Sequence, residues 1–268
     1  TVTRLGENHF VIGANSAIDS ARLEMAAPDN VFVNDITAGT VAVGLFGPHA
    51  RKVIQKLTKD DVSHEALGYF KAKQTYLDQV PATLWRLSYV GESGYEIYTT
   101  ADFALKLWDT LMEAGKEFGI IPAGRGAYNS MRLEKGYRSY GTDMMSEHNP
   151  YEAGIAFAVR KGGGFKGAEA FEALDPAKLT RKLVTIIMDN DEHVTMGKEP
   201  VYVDGTPVGY TTSANFGHRI GKPLAYAWLP IEHTTLGTKV EVQYFDKFYP
   251  GTVSEDVQFD AAMARLKS

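Results

Sequence analysis

Thr83-Leu84-Trp85-Arg86-Leu87-Ser88-Tyr89-Val90, then Gly91-Glu92-Ser93-Gly94, then Tyr95-Glu96-Ile97-Tyr98-Thr99, is the stretch on which the fold turns. Two runs rich in aromatic and β-favouring residues flank a link with glycine at both ends, which reads as an antiparallel hairpin. Glycine lets a backbone approach a ligand closely. Glu96 and Tyr89 add a charge, a hydroxyl and flat apolar area, the set that a ring with polar edges and stackable faces requires.

Upstream, Thr40 to Phe46 reads as a strand stopped by Gly47-Pro48. Pro48 suits the first turn of a helix running through Leu57, where its missing N–H is not needed. His9 to Ala14 reads as a strand, Asn15-Ser16 as a cap, Ala17 to Ala27 as a helix, and Val31 to Val33 as β-rich. Downstream, Ala101 to Phe118 reads as a helix whose apolar side is Phe103, Leu105, Leu107, Trp108, Leu111 and Met112. The expected order here is β-α-β-β-α-β, an α+β sandwich.

A second informative stretch, MRLEKGYRSYGTDM, runs from Met131 to Met144. A helix over Ala127 to Lys135 should end at Gly136. Gly162-Gly163-Gly164 reads as a turn, since no GxxxxGK[ST] pattern surrounds it. After about Lys182 the texture becomes short β segments: Leu183 to Met188, Pro200 to Val203, Val208 to Ser213, Leu224 to Leu229 and Lys239 to Phe245. That spacing predicts a small β-barrel or sandwich. The boundary should fall between Phe171 and Lys182, giving domains over 1–178 and 179–268.

Composition narrows the function classes. The 268 residues are 44% hydrophobic with net charge −5, and this mild acidity argues against a nucleic-acid surface. No apolar run reaches membrane-spanning length. Without cysteine there is no disulfide and no thiolate metal site. No pair among the seven histidines has HExxH spacing, so no metal site is expected. No GxSxG elbow occurs, and the single GxGxxG spacing, Gly162 to Gly167, falls in the glycine-rich turn, so no flavin-binding element of the chain's own is expected. The opening Thr1-Val2-Thr3-Arg4 alternates like a strand and lacks an initiator Met, so the chain reads as a fragment of something longer.

Both stretches resemble the folate-binding module of the glycine-cleavage aminomethyltransferase family. The second is most similar to the version fused to dimethylglycine and sarcosine oxidases and dehydrogenases. Phe46-Gly47-Pro48-His49-Ala50, Tyr210-Thr211-Thr212-Ser213-Ala214 and Lys222-Pro223-Leu224-Ala225 extend the likeness over nearly the whole chain. The resemblance implies an antiparallel-sheet folate-binding domain with a ferredoxin-like part, followed by a C-terminal β-barrel. It gives Glu96 the amino-pyrimidine edge of tetrahydrofolate, where a carboxylate accepts two N–H donors. It puts Tyr89 beside the pterin and has the segment with Tyr137 and Tyr140 line the folate site. For Asn15, helix cap and ligand contact both remain open. Without the resemblance, Glu96 is an outward strand carboxylate and the tyrosines are ordinary packing residues. Arg132 and Glu134 are two apart on a helix and do not share a face, so a structural network is expected for them. His148 reads equally as a surface turn or as part of a channel lining.

Two departures matter. Glycine-cleavage transferases carry an Arg four residues before the Arg of RLE, and Tyr128 stands there, as in the oxidase-fused branch. The family's module also begins upstream of Thr1, and that segment carries the expected catalytic Asp. The implied activity is one-carbon transfer in an N-methyl amine (dimethylglycine or sarcosine) oxidising enzyme: tetrahydrofolate attacks an iminium carbon and gives 5,10-methylenetetrahydrofolate. FAD is expected only in a fused flavin oxidase domain, in the cytoplasm or the mitochondrial matrix, and the isolated fragment is expected to be inactive. The alternatives are a non-catalytic folate-binding scaffold, or a tetrahydrofolate-dependent transferase with another donor.

Overall fold

The computed structural model describes every residue except Asn15, Glu192 and His193. Packing divides the chain into two compact units, Thr1–Ala123 with Ala262–Ser268, and Gly124–Ala261.

In the first unit, β1 (Val2–Arg4) and β2 (Phe10–Ile12) pair as a small ribbon, and α1 (Ala17–Ala26) follows, with the Ser16 side chain accepting from Ile18 N. The main sheet holds β3 (Thr40–Phe46), β4 (Ala72–Leu77), β5 (Val80–Trp85) and β6 (Gly94–Thr100) in the order β3-β6-β5-β4, every neighbouring pair antiparallel. One face packs on α2 (Ala50–Leu57) and α3 (Ala104–Gly115). Leu45, Leu77, Val80, Ala82, Leu84, Tyr95 and Ile97 meet Val53, Ile54, Leu107 and Leu111 in a common core. The alternation along β3, β5 and β6, apolar toward the helices, produces this layering.

Three expectations from sequence change here. The element order is β-α-β-β-β-α, not β-α-β-β-α-β, because Ala72–Leu77 forms its own hairpin with Val80–Trp85. Asp78 opens that two-residue turn at φ 55, a conformation Asp tolerates. Val31 to Val33 is not a strand, and Phe32 is 86% exposed. The strand expected from Thr83 to Val90 stops at Trp85. There Leu87 N turns back to Trp85 O at 2.9 Å and the Arg86 side chain enters the core.

The second unit is built on a closed barrel of β7 (Arg181–Met188), β8 (Pro200–Val203), β9 (Thr206–Gly217), β10 (Lys222–Pro230), β11 (Lys239–Tyr244) and β12 (Lys247–Ser254), in the order β10-β7-β12-β11-β8-β9. The fold class is therefore the expected one, antiparallel sheet and helices followed by a C-terminal barrel. Strands β7 and β10 read as near-continuous apolar runs because both faces are covered. Val184, Ile186, Met188, Ala227 and Leu229 fill the barrel. Leu183, Leu224, Tyr226 and Trp228 pack outward with Leu133 of α4 (Arg125–Glu134). Because α4 and its continuation lie on barrel strands, the packing division falls at Gly124. Gly136 ends the helix at φ 79, and a Cβ there would stand 2.7 Å from Asp256 O.

Candidate functional site

The sheet face turned away from α2 and α3 carries the chemistry of the first unit. Along β6, Tyr95, Ile97 and Thr99 are buried, while Glu96 and Tyr98 are half-buried on the opposite side. Register brings Trp85 opposite Glu96 on one flank, Gly44 opposite it on the other, and Thr83 opposite Tyr98. Directly paired residues share a face. Phe46 lies across this face: a Cβ on Gly44 would sit 2.4 Å from its ring, and one on Gly94 2.3 Å. Both positions need glycine for that close approach.

The Tyr98 hydroxyl donates to Glu96 Oε2 at 2.8 Å. Among the described residues no other group hydrogen-bonds the Glu96 carboxylate. The Tyr98 ring rests on Trp85, centroids 4.0 Å apart and planes at 33°. Trp85 is 2% exposed, and its Nε1 has no hydrogen-bond partner among the described residues. Thus the face offers one carboxylate with accepting capacity left over, flat aromatic surface, and an indole N–H without an acceptor.

Tyr89 is half-buried in the link between Trp85 and Gly94, not within a strand. That link is fixed from below by Arg86, which is fully buried. Its guanidinium donates to Gly94 O at 3.2 Å, Ser93 Oγ at 3.0 Å, Leu266 O at 3.2 Å and Ser268 O at 2.5 Å. It also lies 5.4 Å from the Tyr95 ring centroid. Burial lowers the pKa of Arg86 from its usual value, opposed mainly by Tyr95. Arg265, at the start of the short helix α6 (Ala264–Lys267), pairs with Glu92 at 3.2 Å. Asn15 lies outside the described residues.

Tyr137 and Tyr140 belong to the second unit, the first half-buried and the second 44% exposed. Their segment is held by a buried network around Asp143, which is 0% exposed. Arg132 Nη1 donates to Asp143 Oδ2 at 2.6 Å and to Tyr137 O at 3.0 Å, and Arg132 Nη2 to Ser213 Oγ at 2.6 Å. Ser139 N donates to Asp143 Oδ2 at 2.8 Å, Thr212 Oγ1 to Asp143 Oδ1 at 2.7 Å, and Trp228 Nε1 to Asp143 O at 2.9 Å. Glu134, also 0% exposed, accepts from Arg219 N at 2.7 Å and Ile220 N at 3.2 Å. Arg132 and Glu134 thus anchor barrel strands to the helix and to the tyrosine-bearing turn. His148 stacks on Trp228 with centroids 4.0 Å apart, and Met145 N donates to its Nδ1 at 3.0 Å.

Sequence reading singled out Glu96 and Tyr89 but missed Tyr98, Trp85 and Phe46. Period-two alternation already puts Tyr98 on the side of Glu96. Trp85 required the strand register, and Phe46 the missing side chains of Gly44 and Gly94. Among the described residues no group of three or more His, Asp or Glu could hold a metal ion, and no helix is long and apolar enough to cross a membrane.

An antiparallel sheet backed by helices, with a polar-aromatic opposite face, is thus followed by a six-stranded barrel. Residues 1–162 match the GCVT N-terminal domain, and residues 181–260 the glycine cleavage T-protein C-terminal barrel domain, so the chain belongs to the glycine-cleavage T-protein family. It is 35% identical over 270 residues to mitochondrial dimethylglycine dehydrogenase of Mus musculus, covering 98% of this chain and 31% of that protein. It is 34% identical to the formaldehyde-forming 4-methylaminobutanoate oxidase of Paenarthrobacter nicotinovorans, covering 100% of this chain and 33% of that protein. To the aminomethyltransferase of Symbiobacterium thermophilum it is 36% identical, over 90% of this chain and 67% of that one. The crystal structure of the glycine cleavage system aminomethyltransferase T from Bartonella henselae superposes with TM-score 0.82 at 25% identity, over 96% of this chain and 71% of that one. These relatives are enzymes, and the chain spans about a third of the length of the dehydrogenase and the oxidase.

Proposed function

We propose that this chain is the tetrahydrofolate-binding, one-carbon-transfer portion of an enzyme that oxidises an N-methyl amine such as dimethylglycine or sarcosine, and that it forms 5,10-methylenetetrahydrofolate. One observation carries the reading: Glu96 presents a half-exposed carboxylate, held on one oxygen only, on a sheet face lined by Phe46, Trp85 and Tyr98. The fit to a reduced pterin is chemical. Glu96 accepts N–H donors from the amino-pyrimidine edge, and the aromatic surface packs against the ring. Tetrahydrofolate supplies the nitrogen nucleophile for the methylene carbon. The chain's residues orient that nucleophile and keep water from a labile iminium. Tyr89, Tyr137, Tyr140 and Asn15 complete the assigned contacts, and the modules are assigned to 1–178 and 179–268. The flavin chemistry is assigned to a fused domain of the parent enzyme, in the cytoplasm or the mitochondrial matrix.

Similarity to an aminomethyltransferase favours a second reading, transfer from another one-carbon donor. Tyr128, where the glycine-cleavage branch places an Arg, favours the first. The test is amine oxidation by the parent enzyme with and without tetrahydrofolate. Formaldehyde release should fall as methylenetetrahydrofolate appears. Unchanged formaldehyde release, with no heat of folate binding by calorimetry, would overturn both readings.

A further inference from the structure

We propose that Tyr98 is the positioning residue for Glu96: its hydroxyl fixes one carboxylate oxygen so that the other faces the ligand edge. The inference rests on the folate reading of this face. A glutamate has three rotatable side-chain bonds, and a half-exposed one samples several rotamers unless something restrains it. Here the restraint is the 2.8 Å bond from the Tyr98 hydroxyl to Oε2. Tyr98 itself is restrained, with its ring lying 4.0 Å from that of Trp85, which is 2% exposed. Trp85 is in turn placed by its register opposite Glu96 in the β5–β6 pair. The order of support is therefore strand register, indole, phenol ring, phenol hydroxyl, carboxylate. No other described group hydrogen-bonds Glu96, so among them the Tyr98 hydroxyl is what holds the carboxylate. Before a ligand arrives, the carboxylate has already lost the freedom that binding would otherwise have to remove.

The chemistry predicts selectivity as well as affinity. Only a ligand with N–H donors on the edge facing Glu96 gains from a fixed carboxylate. A folate analogue carrying methyl in place of the 2-amino group keeps only the ring N3–H on that edge and gains less. Tyr98→Phe keeps the aromatic ring and removes the hydroxyl, which separates positioning from packing.

The experiment is calorimetry under anaerobic conditions with tetrahydrofolate and with its 2-desamino-2-methyl analogue, on the wild-type protein, Tyr98→Phe, Glu96→Gln and the double variant. Tyr98→Phe should bind tetrahydrofolate about tenfold more weakly, the size of one hydrogen bond, and lose clearly less toward the analogue. The double variant should bind no more weakly than Glu96→Gln. Equal loss toward both ligands, or no loss, would overturn the proposal. A crystal structure of unliganded Tyr98→Phe gives a readout independent of folate. Tyr98 is the positioning residue if the Glu96 carboxylate leaves its wild-type rotamer there, and is not if the rotamer is retained. If the wild type binds no tetrahydrofolate, the folate reading fails by itself, and this rotamer still decides the role of Tyr98.

Discussion

Two carboxylates, Asp143 in the second unit and Glu96 in the first, sit in opposite circumstances. Asp143 is 0% exposed, and both its oxygens are occupied by Arg132, Ser139 and Thr212. Glu96 is half-buried and holds one donor, Tyr98. A buried charge must be matched completely or it destabilises the fold. A carboxylate on an accessible face can keep accepting capacity for something that arrives later. Saturation therefore marks scaffold, and partial satisfaction marks a candidate ligand contact, although both residues come from equally conspicuous sequence motifs.

The largest expected effect tests the scaffold side. Asp143→Ala leaves Arg132 buried beside an empty position and should lower stability by about 3–5 kcal/mol, read as a drop in denaturant midpoint. A variant as stable as the wild type would break the comparison. Arg86→Met comes next. It strips donors from four buried or half-buried acceptors and should cost about 2–3 kcal/mol, with faster proteolysis of the 86–93 link.

Glu96→Gln should do the reverse of Asp143→Ala. Tetrahydrofolate binding weakens by about 1–3 kcal/mol, while the melting temperature stays close to the wild-type value. A large stability loss would move Glu96 to the scaffold class.

The smallest effect concerns pH. The His148 imidazole is 3% exposed, and burial, with Arg181 nearby, pushes its pKa below 6.5 against the opposing pull of Glu147 and Glu152. The unfolded chain then binds the proton first. Stability from the neutral ring is present above the unfolded pKa and declines as pH falls from about 6.5 toward the lower folded value. His148→Gln should flatten that acid-side decline in melting temperature. An unchanged slope would remove His148 from the account.

Much of this was legible in the residues. A β-rich run stopped by Gly47-Pro48 placed β3, strand-and-turn spacing placed five of the six barrel strands, and a capping glycine placed the end of α4. The strand Ala72–Leu77 escaped notice because polar Lys73 and Thr75 share the inward face with Leu77 while the outward face carries an exposed Tyr76, leaving a weak period. β12 was missed for a related reason: it opens with Lys247-Phe248 on the surface and contains Pro250 and Gly251. Of the candidate site, motif reading reached Glu96, but its support by Tyr98 and Trp85 depends on pairing between strands. Local patterns carry no direct record of such pairing.

The carbonyls of Leu266 and Ser268 that receive the Arg86 guanidinium have a consequence for how the chain is made. The first unit is written in two pieces separated by about 140 residues of the second. At roughly 5–20 residues per second, a ribosome leaves that unit without its closing segment for on the order of ten seconds. The barrel's unit, by contrast, is continuous in sequence. The link bearing Tyr89 gains these partners only after residues 262–268 have been made.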